Sequence, residues 1–200
     1  MHILYARPSP FARKVRVVLL ETGQADVGLH EVSTTPMATA AEVASANPLG
    51  KIPVLVRDDG PALHDSRVIC RFLDDRAGAG LYPAGSLWDV LTLEATGDAI
   101  CDAAVGVTYE RRFRAERGLV WDEWIEAQWG KVARALDALE ARSMPLLEGP
   151  INAGQIAVGC ALGYLDLRMA ERGWRDGRGA LAAWESRFAA RPSMVETRPE

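Results

Sequence analysis

Tyr5-Ala6-Arg7-Pro8-Ser9-Pro10-Phe11-Ala12-Arg13-Lys14-Val15 joins a short apolar run to the start of an amphipathic helix. Serine is a favoured N-cap, proline a favoured first helical residue, and Phe11, Val15 and Val18 then recur at helical spacing. Ser9 can be read at two levels. As a cap it satisfies one orphan backbone N–H, worth about 1 kcal/mol. As a hydroxyl at the positive end of a helix dipole it can also stabilise an anion, such as a thiolate brought by a ligand. The rest of the chain has to decide between them.

Upstream, His2 to Tyr5 reads as a buried strand; downstream, the helix stops at Thr22-Gly23. Val27, Leu29 and Val32 alternate with polar or small residues and predict a second strand, parallel to the first across the helix. Residues 37–46 carry a modest helix signal ended by Asn47-Pro48-Leu49-Gly50. In Ile52-Pro53-Val54-Leu55-Val56 the proline cannot donate to a sheet ladder, so it belongs at the strand's first residue, on an edge, or in a special turn that can hold a cis bond, and here it precedes the strand. Asp58-Asp59-Gly60 predicts a hairpin, Ala62-Leu63-His64 a short return strand, and Asp65-Ser66 the cap of a helix whose apolar face is Val68, Ile69, Phe72 and Leu73.

Residues 1–78 therefore read as β-α-β-α-β-β-α, and Ala77-Gly78-Ala79-Gly80 with Pro83-Ala84-Gly85 as a linker. Residues 86–200 carry only helical signals, over 87–116, 120–142, 153–172 and 180–190, and predict an all-α helical bundle domain. Trp121, Trp124, Ile125, Trp129, Val132, Leu136 and Leu139 form a helical stripe expected in its core. Arg111, Arg112, Arg114 and Arg117, interleaved with Glu110 and Glu116, read as a solvated helix end without a function.

Composition narrows the classes. Of 200 residues 48% are hydrophobic and 25% charged, as in ordinary globular chains, and 23 basic against 27 acidic residues give a net charge of -4 with no footprint for nucleic acid or an anionic membrane. Cys70, Cys101 and Cys160 are odd in number, far apart and without metal-ligand spacing, which suits a reducing, cytoplasmic setting and predicts no metal site. No signal-peptide pattern opens the chain, and Ile156 to Leu167 is too short and Gly-interrupted to span a bilayer.

Three segments together carry a family resemblance: Ser9-Pro10-Phe11-Ala12-Arg13-Lys14-Val15, Asn47-Pro48-Leu49-Gly50-Lys51-Ile52-Pro53-Val54-Leu55, and Asp65-Ser66 before an apolar helix. Their order and spacing resemble a bacterial, serine-type glutathione S-transferase over nearly the full length, with an N-terminal thioredoxin-like domain (1–78) and a C-terminal all-α domain (86–200) that contributes the electrophile pocket. Asn152-Ala153-Gly154-Gln155 resembles the capping box of the family's central second-domain helix, with Gln155 expected to return a hydrogen bond to the cap.

The resemblance implies glutathione as co-substrate and a role for each site residue. Ser9 would donate to the glutathione sulfur and hold it as thiolate, which then attacks a small hydrophobic electrophile. Pro53 would be cis, with the Ile52 backbone pairing with the cysteinyl part of glutathione; Asp65 and Ser66 would bind the γ-glutamyl end, and Lys51 would reach a ligand carboxylate. Pocket walls are expected from Ala6, Arg7 and Phe11 and from the helix near Tyr109 and Phe113. Asp98, Asp102 and Gly106 share a helix face expected to help form a homodimer, from which Asp102 would reach the γ-glutamyl ammonium in the partner's site. Tyr5 is the rival hydroxyl. A glutathione-dependent isomerase or peroxidase, and a non-catalytic glutathione-binding or interaction module, remain open on the same fold.

Overall fold

β1 (His2–Tyr5) carries Ile3, Leu4 and Tyr5 into the interior, and α1 (Pro10–Glu21) follows it, in a computed structural model that describes residues 1–199. The helix starts where the Ser-Pro pair predicts, with Ser9 at its N-cap. β2 (Gly28–Glu31) returns parallel to β1, pairing Ile3 with Leu29. It is an edge strand, so Leu29 stays 49% exposed while the flanking Val27 and Val32 are buried. α2 (Ala41–Ala46) is shorter than the 37–46 signal, and β3 (Val54–Val56) pairs antiparallel with β1, giving a sheet ordered β2-β1-β3. α3 (Ser66–Ala77) packs against α1, and Gly78 closes it in the left-handed conformation.

The predicted fourth strand is reduced to one bridge, Leu55 with Leu63, held by two backbone hydrogen bonds of 3.0 and 2.9 Å. Two neighbours limit it. Pro61 has no N–H to donate, and Asp65 already serves as the α3 cap, so the chain leaves the sheet after His64. The β-α-β-α-β-β-α order is therefore corrected to three strands plus a bridge, within the same small sheet layer.

The second unit, Ser86–Arg191, is all helical. It holds α4 (Leu87–Arg114), α5 (Asp122–Ala138) continued by a wide turn over Leu139–Ser143, α6 (Met144–Leu147), α7 (Ala153–Arg168) and α8 (Gly179–Ala189). α7 is buried along most of its length, as its apolar sequence requires, and α4 lies against it. Their approach is close: a Cβ placed on Gly97 of α4 would meet the Ala157 carbonyl carbon at 2.7 Å. The expected stripe of α5 is core at Ile125, Val132, Leu136 and Leu139, but Trp124 and Trp129 are only half-buried, and Trp121 precedes the helix and is 57% exposed.

Asn152 caps α7 by accepting from Gln155 N–H at 3.0 Å. Gln155 does not return a bond to the cap; its amide donates instead to the carbonyls of Leu146, Gly149 and Pro150, tying down the preceding turn. The short α9 (Pro192–Glu196) belongs with the first unit, whereas the sequence reading kept 86–200 together. Arg13 donates to the Met194 carbonyl at 3.0 Å, and Ser193 donates to Glu21 at 2.5 Å. No helix among the described residues is long and apolar enough to cross a membrane.

Candidate functional site

Strand register brings three of the sequence segments to one end of the sheet. Pairing of Leu4 with Val54 puts the loop after β1, which carries Ser9, beside the turn that carries Lys51, Ile52 and Pro53. Continuing the antiparallel step from Leu55 and Leu63 brings residue 65 level with residue 53, so the α3 mouth reaches the same end. Because α1 and α3 both start there, two positive helix ends face one neighbourhood.

Ser9 is half-buried, and its Oγ accepts from Ala12 N–H at 3.2 Å. The hydroxyl proton is donated to none of the described residues, so the cap leaves it available. Tyr5 lies differently: it is 8% exposed and its ring sits under the Arg16 guanidinium at 5.0 Å.

The Ile52–Pro53 bond is cis. Ile52 lies two residues before the first paired residue of β3, outside the ladder with β1, and Pro53 is buried behind it. A buried asparagine shapes this turn. Asn47, 2% exposed, donates from its side chain to the Lys51 carbonyl at 2.9 Å and accepts from Leu49 N–H at 3.0 Å. Gly50 in the same turn has φ +64, and a Cβ there would meet Thr39 at 2.8 Å, so both backbone and space call for glycine. Lys51 itself projects into solvent.

At the α3 mouth the two residues divide the work. Asp65 is exposed and caps the helix: its carboxylate accepts from the Arg67 backbone at 2.9 Å and from the Arg67 guanidinium at 3.0 Å. Partial burial opposes its charge, but the hydrogen bonds and charge of Arg67, with Lys14 behind them, outweigh that and hold the carboxyl below its ordinary value. Ser66 is 4% exposed and its hydroxyl has no hydrogen-bond partner among the described residues. On a residue this buried, a hydroxyl without a protein partner is available to a ligand acceptor.

Asp102 lies on α4 in the second unit and is exposed. The row it was expected to share is uneven, since Asp98 is 7% exposed and Gly106 lies against Trp124.

Sequence reading missed two supports of this end of the sheet, Asn47 and Lys14. Asn47 was legible as part of a turn, but its side-chain bonds span the turn and follow from burial rather than from pattern. Lys14 interrupts an otherwise apolar α1 face and is 1% exposed; a charge on the inner face of an amphipathic helix was the available signal.

The end of the sheet offers a hydroxyl proton, an unpaired stretch of backbone and two helix N-termini, a set suited to an extended, anionic, peptide-like ligand. Comparison with known proteins points to one family. Residues 8–76 match the family described as "Glutathione S-transferase, N-terminal domain" and residues 122–187 that described as "Glutathione S-transferase, C-terminal domain". An uncharacterized GST-like protein of Escherichia coli K12 is 31% identical over 205 residues, spanning 100% of this chain and 98% of that protein. A glutathione transferase family member from Pseudomonas fluorescens Pf-5, crystallised with bound glutathione, is 42% identical with a TM-score of 0.96, over 100% of this chain and 98% of that one. A second structure of a family member from that strain holds S-(propanoic acid)-glutathione and is 41% identical, with a TM-score of 0.91 over 100% of both chains. This chain belongs to the glutathione S-transferase family.

Proposed function

We propose that the protein is a glutathione transferase that binds glutathione through residues 1–78 and lodges a small electrophile in its second, helical unit. The observation that carries this reading is the hydroxyl of Ser66, a residue 4% exposed, which has no hydrogen-bond partner among the described residues at the mouth of α3, where a γ-glutamyl carboxylate would accept from it and from the helix N–H groups. Glutathione in the structures of similar Pseudomonas fluorescens proteins supports the choice of ligand.

Each residue then has a task. The Ile52 backbone pairs with the cysteinyl unit, and cis-Pro53 holds it in the turn. Asp65 offers its charge to the γ-glutamyl ammonium while capping α3, and Lys51 meets a glutathione carboxylate. Ser9 donates its free proton to the sulfur, and the α1 dipole adds to the same field. A free thiol titrates near pH ~8.5, and each unit of lowering is worth about 1.4 kcal/mol, so even one strong donor raises the thiolate fraction severalfold at neutral pH. Bound there, glutathione supplies a thiolate that forms a C–S bond as the leaving group departs with its electron pair. Packing of Tyr5 under Arg16 favours Ser9 as the donor. The reading extends to a cytoplasmic homodimer in which Asp102, exposed on α4, approaches the partner's γ-glutamyl ammonium.

The test measures glutathione binding by calorimetry for wild type and Ser66→Ala, and conjugation of a chloronitrobenzene for wild type and Ser9→Ala. Binding that Ser66→Ala weakens and turnover that Ser9→Ala lowers are the expected results. No binding by wild type would overturn the reading, and binding without turnover on any electrophile would make the protein a glutathione-binding module instead. Sedimentation of wild type and glutathione affinity of Asp102→Asn check the dimer and its cross-subunit contact.

A further inference from the structure

The second unit contains a cavity of about 440 Å³, within the range of small-molecule sites, lined by Val107, Thr108, Arg111 and Arg112 of α4 and Arg168 of α7. Thr108, Arg111 and Arg112 stand at i, i+3 and i+4, which puts them on one helix face. The lining has three guanidinium groups and no carboxylate. Glu171 pairs with Arg111 at 2.8 Å, while the neighbouring acids are engaged elsewhere: Glu110 with Arg114 and Asp166 with Arg175. Arg112 and Arg168 have no ion-pair or hydrogen-bond partner among the described residues. An arginine in a helix's last turn can turn back to the terminal carbonyls, but Arg168 donates to none of those described. Arg112 lies over the Phe113 ring at 5.4 Å and both arginines are exposed, so two solvated positive charges border one open pocket.

The hydroxyls there are already used. Tyr164 donates to Thr108 at 3.3 Å, and Thr108 donates to the Ala104 carbonyl at 2.8 Å. The hydrogen-bonding capacity left for a ligand is therefore the planar donor fork of arginine, which matches a carboxylate in geometry and charge, beside the apolar wall of Val107.

We propose that this cavity binds the carboxylate of a small organic anion, held by Arg112 and Arg168. Resting on the transferase reading above, it selects electrophiles that carry a carboxylate over neutral ones.

A chloronitrobenzoate and the matching neutral chloronitrobenzamide test this, because glutathione displaces chloride from both and only their charge differs. Calorimetry without glutathione is expected to show the benzoate binding at least tenfold tighter than the amide, with affinity falling as salt is raised. Arg112→Ala and Arg168→Ala should each weaken benzoate binding roughly tenfold or more and leave the amide unchanged, with unaltered melting curves. With glutathione present, wild-type kcat/KM should favour the benzoate, and each substitution should remove that preference through KM. Equal binding of the two probes, binding insensitive to both substitutions, or no binding of the benzoate would overturn the proposal. Conjugation of both probes without charge preference would refute the pocket and keep the transferase reading. Arginine-dependent benzoate binding with no conjugation of either probe would keep the pocket and refute the transferase reading.

Discussion

Helix α1 opens on a serine whose single hydroxyl both accepts from Ala12 and retains a proton to give, whereas α3 opens on two residues that separate those tasks. Asp65 caps α3 with its carboxylate, and Ser66, one position on and itself a buried residue, keeps a hydroxyl with no hydrogen-bond partner among the described residues. Where one atom does both jobs, a substitution that removes chemistry also loosens the fold. Where the hydroxyl is left out of the cap, as at Ser66, its removal can be read in binding without a loss of stability.

The largest expected effect is at Ser9. If its donation lowers the thiol pKa by about two units, Ser9→Ala reduces conjugation roughly 100-fold. Loss of the cap also costs about 1 kcal/mol, or about 2–4 °C in melting temperature for a chain of this size. Ser9→Gly sharpens the point, because glycine at an N-cap costs only a few tenths of a kcal/mol. Its turnover should fall as in Ser9→Ala while its melting temperature stays near wild type. Next comes Ser66→Ala, which removes a hydrogen bond to a charged ligand group worth about 2 kcal/mol, or roughly thirtyfold in glutathione affinity, with stability neutral or improved. A clear drop in melting temperature there would mean that Ser66 is structural and that the two mouths are alike after all.

The smallest effect is at Asp65. Asp65→Ala should cost about 1 kcal/mol of stability at neutral pH. Its folded pKa is lowered, so this contribution is present above the unfolded value and is lost as pH falls through the folded one. Denaturant curves for wild type and Asp65→Ala should therefore differ at neutral pH and converge in acid. A difference that persists unchanged in acid would assign the stabilisation to something other than the charged cap.

Both mouths were legible in the sequence because capping is local: Ser9-Pro10 and Asp65-Ser66 specify the first helical turn from adjacent residues. The turn before β3 was legible for a similar reason, since a proline cannot lie inside an apolar strand's ladder, whereas the cis bond itself came only from the family resemblance. What stayed hidden depends on partners far along the chain. Residues from Pro192 join the first unit through bonds to Arg13 and Glu21, more than a hundred residues away in sequence. Gln155 found three loop carbonyls where a local rule expected it to bond its own cap. Arg111 and Arg112 looked like a solvated helix end, and only the packing of α4 on α7 brings Arg168 beside them.

As proposed, the Ser9 hydroxyl holds the glutathione sulfur as thiolate. Titrating the ultraviolet thiolate absorbance of protein-bound glutathione against pH, in wild type and Ser9→Ala, tests it most directly. Wild type is expected to show an apparent thiol pKa well below the free value of ~8.5, and Ser9→Ala a return toward it, with glutathione still bound. An equally lowered pKa in both proteins would contradict it and move the donor elsewhere, with Tyr5 the first to be examined.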